Sequence, residues 1–146
     1  MLNIENLTTL QPNVTRLESI AKALTTREID LTLCDNGTIQ EYNSIYRGKE
    51  RPTDVLSFPI ENDIIIDGLN ALPLGSIVIS VDFVTEGALA HGHTLDDELN
   101  LLFIHGALHL LGYDHEVDKG EMRRREEELI RAFHLPKSLI VRVEEF

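Results

Sequence analysis

Behind Pro12, the apolar residues Val14, Leu17, Ala21 and Leu24 fall three or four positions apart, the period of one helix face. A short strand is expected before them, near Leu2 to Ile4. After them, REIDLTLC places Ile29, Leu31 and Leu33 on alternate positions, the period of a half-buried strand, with Cys34 packing at its end. DNG then reads as a turn, and Thr38 with Glu41 three residues on reads as a capping box that opens a short helix through Tyr46. DVLSFPI is a strand that Pro59 ends or pushes to a sheet edge, and GSIVIS is a second strand rich in β-branched residues. Between them, ENDIIIDGLNALP reads as a loop, with a further strand at its III run as the alternative. Residues 82–90 suit a helix that the HGHT turn ends. Thr94 and Asp97 cap a long apolar helix kept buried by Leu95, Leu99, Leu102, Phe103 and Leu110. Strands alternate with helices and no repeat or linker interrupts them, which predicts one α/β domain over residues 1–146.

Composition narrows this picture in two ways. A chain of 146 residues, 42% of them hydrophobic, is long enough for one buried core. The lone thiol, Cys34, excludes an internal disulfide, and no run approaches the ~18 apolar residues of a membrane span. MLNIENLTTL lacks the basic start and apolar core of a secretory signal, so a cytoplasmic location is expected, with no membrane partner.

Charge narrows it further. The formal net charge of −12 argues against a broad basic face for nucleic acid. Residues 60–99 carry eight carboxylates and neither Lys nor Arg, whereas RGKERPTDVLSFP, residues 47–59, is net +1 through Arg47, Lys49 and Arg51. If an anion binds, it is expected there.

The chemistry is concentrated in HGALHLLGYDH, residues 105–115. Residues four apart on a helix differ by roughly 40° in azimuth, so His105 and His109 project from one face as a chelating pair. Gly112 suits a left-handed helix stop, which lets the chain reverse and bring His115 round as a third ligand. Neutral imidazole suits zinc, and three protein ligands leave a position for a water whose pKa falls to near ~7. The alternatives are histidines that merely fill a core, or a structural zinc, which usually needs a fourth protein ligand. The spacing is that of the metzincin HExxHxxGxxH, so the helix is metzincin-like, yet Gly106 stands where those peptidases hold their catalytic glutamate. An amine leaves poorly without a proton donor, whereas phosphodiester cleavage rests on positioning and charge neutralisation, so the glycine favours phosphate chemistry.

HGALHLLGYDH, together with YRGKERPTDVLSFP and LPLGSIVIS upstream, resembles the YbeY family, bacterial endoribonucleases of ribosomal RNA maturation. The resemblance runs from about Leu31 to the final helix. It implies an α/β (α+β) fold with a small mixed four-stranded sheet and surrounding helices, one zinc or other divalent transition metal per chain on His105, His109 and His115, and single-strand-specific RNA cleavage. It also implies a role in 16S rRNA 3′-end maturation and ribosome quality control, on the small ribosomal subunit, with ribosomal proteins and assembly GTPases as partners. Arg47 is implied as the functional arginine that holds the scissile phosphate, so Arg47 and His105 are the candidate catalytic residues, with Lys49 and Arg51 as weaker substrate contacts. One departure stands out: the family commonly has LGD where this chain has Leu74, Gly75 and Ser76. The competing functions are a zinc peptidase or other hydrolase on the same three histidines, and a non-catalytic ribosome-assembly factor with structural zinc.

Other residues have plainer readings. Asp114 could orient an imidazole or shuttle a proton but suits a turn, and His91 and His93 could extend a site but suit a polar loop. Arg123, Arg124 and Arg125 are expected to pair along their helix with Glu126, Glu127 and Glu128, and Met122, in phase with Leu129 and Phe133, to be core rather than a Met-turn.

Overall fold

A computed structural model describes residues 1–60, 72–114 and 116–136. The III run and His115 lie outside the described residues. In chain order the elements are β1 (Leu2–Asn6), α1 (Val14–Leu24), β2 (Ile29–Cys34), α2 (Asn36–Arg47), β3 (Val55–Pro59), β4 (Gly75–Ser80), α3 (Val81–His91), α4 (Leu95–Leu110) and α5 (Glu121–Ala132). The sheet runs β1-β2-β4-β3, with β1, β2 and β4 parallel and β3 antiparallel at one edge. This is the mixed four-stranded α/β fold expected. Pro59 closes the edge strand, where a missing N–H costs no ladder bond.

The alternation read in β2 sorts the two faces of the sheet. Ile29, Leu31 and Leu33 face one side with Ile77 and Ile79 of β4, and join Leu17 and Ile20 of α1 and the apolar residues of α4. On the other side Cys34, Leu56 and Val78 meet Ile39 of α2, with Tyr42 and Phe58 packed against them. The Cys34 thiol donates to the Ile79 carbonyl at 3.7 Å. Burial, with Asp35 and Asp82 adding to it, pushes that thiol up to about 11, so it is protonated at neutral pH and a poor nucleophile.

Two local expectations change. DNG does not turn the chain before a Thr38 cap. Asp35 is itself the N-cap: its carboxylate accepts from the Thr38 N–H at 2.8 Å, a bond that holds its pKa below the usual carboxylate value. The helix therefore opens at Asn36, whose N–H is taken by Asp82 at 2.8 Å. Leu95, expected to be buried, is exposed at the first turn of α4, while Leu99, Leu102, Phe103 and Leu110 are buried as read. The Thr94 cap is present, accepting from Asp97 N–H at 3.1 Å.

Gly75 sets how closely β4 and the end of α4 approach β3. Its φ is +156°, and a Cβ there would stand 2.5 Å from the Phe58 carbonyl oxygen and 2.7 Å from Leu110 Cδ2. Neither backbone nor a packed leucine can yield that distance cheaply. We expect Gly75→Ala to lower stability by about 1–3 kcal/mol, read as a fall in the urea midpoint. An unchanged midpoint would show that this approach is not a constraint.

Candidate metal centre

From Glu98 to Leu110, every residue of α4 is buried except His105 and His109, which are half-buried on one stripe. Their rings meet edge to face, with centroids 4.6 Å apart and the two Nε2 atoms 3.1 Å apart. The far nitrogen of each ring is held by an oxygen. His109 Nδ1 lies 3.0 Å from the Tyr113 carbonyl, and His105 Nδ1 lies 2.9 Å from Glu126 Oε1. A carbonyl can only accept, so His109 donates from Nδ1; an ionised Glu126 imposes the same tautomer on His105. With both rings neutral, two lone pairs then face each other.

Glycine chemistry makes the His109 contact. Gly112 takes φ +95°, its N–H bonds the His109 carbonyl at 3.0 Å, and Tyr113 N–H bonds the Leu108 carbonyl at 3.0 Å. The reversal carries the Tyr113 carbonyl back over the imidazole. Glu126 comes from α5, where it is 1% exposed on the buried face with Met122, Leu129 and Ile130. Its Oε2 is buried and has no hydrogen-bond partner among the described residues.

The donor set fits a metal such as zinc. Two imidazole nitrogens on one cation at about 2.0–2.1 Å would stand roughly 3.3 Å apart at a tetrahedral angle, close to the observed spacing. A carboxylate or carbonyl behind each ligating imidazole is the usual support of such a centre. Among the described residues no group of three His, Cys, Asp or Glu is placed to hold a metal, and His115 lies outside them.

The histidine pair opens on a cleft of about 600 Å³ whose lining includes Arg47, Ser57, Tyr113 and Asp114. Arg47, the last residue of α2, reaches across the edge of β3 to donate from Nη2 to the Ser57 carbonyl at 2.8 Å, its guanidinium 5.7 Å from the Phe58 ring centre. The loop behind it is tied by buried Asn43, which donates to the Arg51 carbonyl at 2.8 Å and accepts from Lys49 N–H at 3.2 Å. Lys49 and Arg51 themselves are exposed and do not line the cleft, and neither does Ser76. Asp114 lines it while accepting from Glu116 N–H at 3.0 Å, the turn role expected.

Gly106 faces the sheet. A Cβ on it would meet Ile77 Cγ2 at 3.0 Å, Val55 Cγ2 at 3.1 Å and Ser57 Oγ at 3.2 Å, and its carbonyl accepts from Ser57 Oγ at 2.9 Å. The glycine thus has a packing reason independent of the chemistry it excludes.

The remaining candidates separate from the cleft. His93 is buried against Glu98 at 2.9 Å, and His91 bonds the Gly87 carbonyl at 2.9 Å; neither lines the cleft. Arg123 pairs with Glu127 at 3.2 Å and Arg125 with Glu128 at 2.9 Å, but Glu126 does not join them, being committed to His105. Met122 is core, as read.

Residues 3–134 match the family described as Endoribonuclease YbeY. Curated relatives under that name include one from Sulfurovum, 56% identical over 97% of both chains, and one from Nautilia profundicola, 50% identical over 99% of this chain and 100% of the other. Another from Helicobacter pylori is 50% identical over 99% of this chain. The solution structure of TM1509 from Thermotoga maritima superposes with a TM-score of 0.60 at 29% identity, covering 91% of this chain and 89% of that one. Among the described residues no helix is long and apolar enough to cross a membrane.

Restoring the metzincin glutamate should fail on packing alone. We expect Gly106→Glu to lose at least about 3 kcal/mol, since it overpacks the sheet and buries a charge. A folded variant of wild-type stability would show that α4 can lift from the sheet.

Proposed function

Because the chain belongs to the YbeY family of endoribonucleases, we propose that it cleaves single-stranded ribosomal RNA at this cleft, in 16S rRNA 3′-end maturation and ribosome quality control on the small subunit. The observation that carries the reading is that the facing His105 and His109 nitrogens and Arg47 line one and the same cavity. His105, His109 and His115 would hold one zinc or another divalent transition metal. Bound there, it would supply Lewis acidity toward a phosphoryl oxygen or water.

The chain's own groups do the rest. Glu126 and the Tyr113 carbonyl fix the two ring tautomers and their aim. Arg47 spends one donor on the Ser57 carbonyl, which orients its planar fork, and offers its other donors to the non-bridging oxygens of the scissile phosphate. Charge that grows on those oxygens in the transition state is met by a cation held in advance, so little reorganisation is needed. With an overall charge of −12, the local guanidinium rather than the general field draws the phosphate in, and docking on a ribosomal particle, with its proteins and assembly GTPases, supplies the remaining affinity.

The edge of β3 speaks against a peptide substrate. A peptide would add to this edge by main-chain hydrogen bonds. The Ser57 carbonyl is already taken by Arg47 and the Val55 N–H by Asp54 Oδ1 at 2.8 Å.

We expect metal-loaded protein to cut single-stranded RNA and to leave an unstructured polypeptide intact. His105→Ala and Arg47→Glu should each lower cleavage at least about 100-fold, the scale of one lost electrostatic contact to the transition state. Glu126→Gln should weaken metal affinity about 10- to 100-fold in a chelator competition while the protein stays folded. Peptide degradation beside intact RNA, or full RNA cleavage by Arg47→Glu, would overturn the reading.

A further inference from the structure

On the α2 side of β3, three aromatic rings form a continuous group. Tyr42 and Tyr46 lie one helical turn apart and stack with centroids 6.1 Å apart and planes 22° from parallel. Tyr46 meets Phe58 of β3 edge to face at 5.3 Å, and Tyr42 lies 6.4 Å from the same ring. Tyr42 and Phe58 finish the small core on this face of the sheet. Tyr46 does not, since it is 63% exposed although two rings hold it. The fold therefore keeps a large flat side chain rigid without burying it.

That ring adjoins residues that line the cleft. Tyr46 precedes Arg47 in the chain, and Phe58 sits between Ser57 and Pro59, both of which line the cleft. Arg47 passes from the aromatic side over the sheet edge to the Ser57 carbonyl, so one guanidinium joins the ring group to the cavity of His105 and His109. A strand whose phosphate rested on Arg47 would bring a neighbouring base to this edge. Stacking suits a chain of net charge −12, because π-face contact does not depend on a positive field.

We propose that Tyr46, backed by Tyr42 and Phe58, is a stacking site for one unpaired RNA base flanking the phosphate held by Arg47. This rests on the RNA-cleaving reading above and adds to it a reason for single-strand preference, since a paired base cannot leave its stack to reach the ring. A prepositioned tyrosine loses little freedom on contact, so its contribution falls on substrate binding.

The test uses the full chain with Tyr46→Ala, Tyr46→Phe and Tyr46→Trp, on a cleavable single-stranded RNA and on an uncleavable analogue followed by fluorescence anisotropy. An abasic nucleotide is walked through the positions flanking the cut. Tyr46→Ala should raise KM and the Kd for the analogue roughly five- to hundredfold with kcat within about twofold of wild type, as loss of one stacked base does. Tyr46→Phe and Tyr46→Trp should retain wild-type binding, and thermal melting should be unchanged in all three. At one flanking position the abasic RNA should reproduce the Tyr46→Ala defect in wild type and add nothing further in the variant. Equal KM and Kd in Tyr46→Ala, or defects that add at every abasic position, would overturn the proposal. If wild type binds the analogue with this Tyr46 dependence yet cuts no RNA, the stacking site stands and the endoribonuclease reading falls.

Discussion

Two imidazole nitrogens 3.1 Å apart, each with its opposite nitrogen pinned by an oxygen, create a demand for positive charge between them. Neutral rings in this tautomer present lone pairs to each other, which repel. A metal ion between them would relieve the repulsion while satisfying both. The histidine helix, its glycines and the buried glutamate all serve to keep that demand in place.

The surrounding fold explains why the pair does not relax. Burial on all other sides of α4 leaves the helix no freedom to rotate, and Gly106 lets it lie directly on Val55, Ser57 and Ile77. Gly112 reverses the chain at the helix end. Glu126 is anchored by the same apolar stripe that packs α5. Across the cleft, Arg47 is oriented by the last turn of α2, the buried Asn43 and the open edge of β3. A cation-seeking pair and a phosphate-seeking fork thus come from opposite faces of one sheet, and the short antiparallel strand between them is the part that joins them.

Much of this was legible in the residue pattern. Alternation in IDLTLC and the β-branched residues of GSIVIS gave the central strands, Pro59 marked the edge, and the four-residue spacing of His105 and His109 put them on one stripe. Glu126 was misread because it stands among Arg and Glu residues that pair along the helix. Its phase with Met122 and Ile130 was the available signal, a charge on an apolar face. The Thr38 cap was misplaced one turn because Asp35, Thr38 and Glu41 offer overlapping capping patterns, and only the Asp35 carboxylate reaches an orphan N–H. Gly106 read as a choice of chemistry, but the close approach of two elements distant in sequence also requires it, and one sequence does not encode such contacts visibly. Arg47 was singled out by the family resemblance, since charge alone ranked Lys49 and Arg51 with it, and those two follow the helix end and are exposed.

The claim that the pair is preset for a cation is tested most directly by the ring tautomers. Long-range proton–nitrogen NMR on metal-free protein at neutral pH should show His105 and His109 protonated at Nδ1, and titration with zinc should shift the Nε2 resonances of both. A proton resident on Nε2 of either neutral ring, or zinc that leaves both Nε2 signals unmoved, would contradict the account.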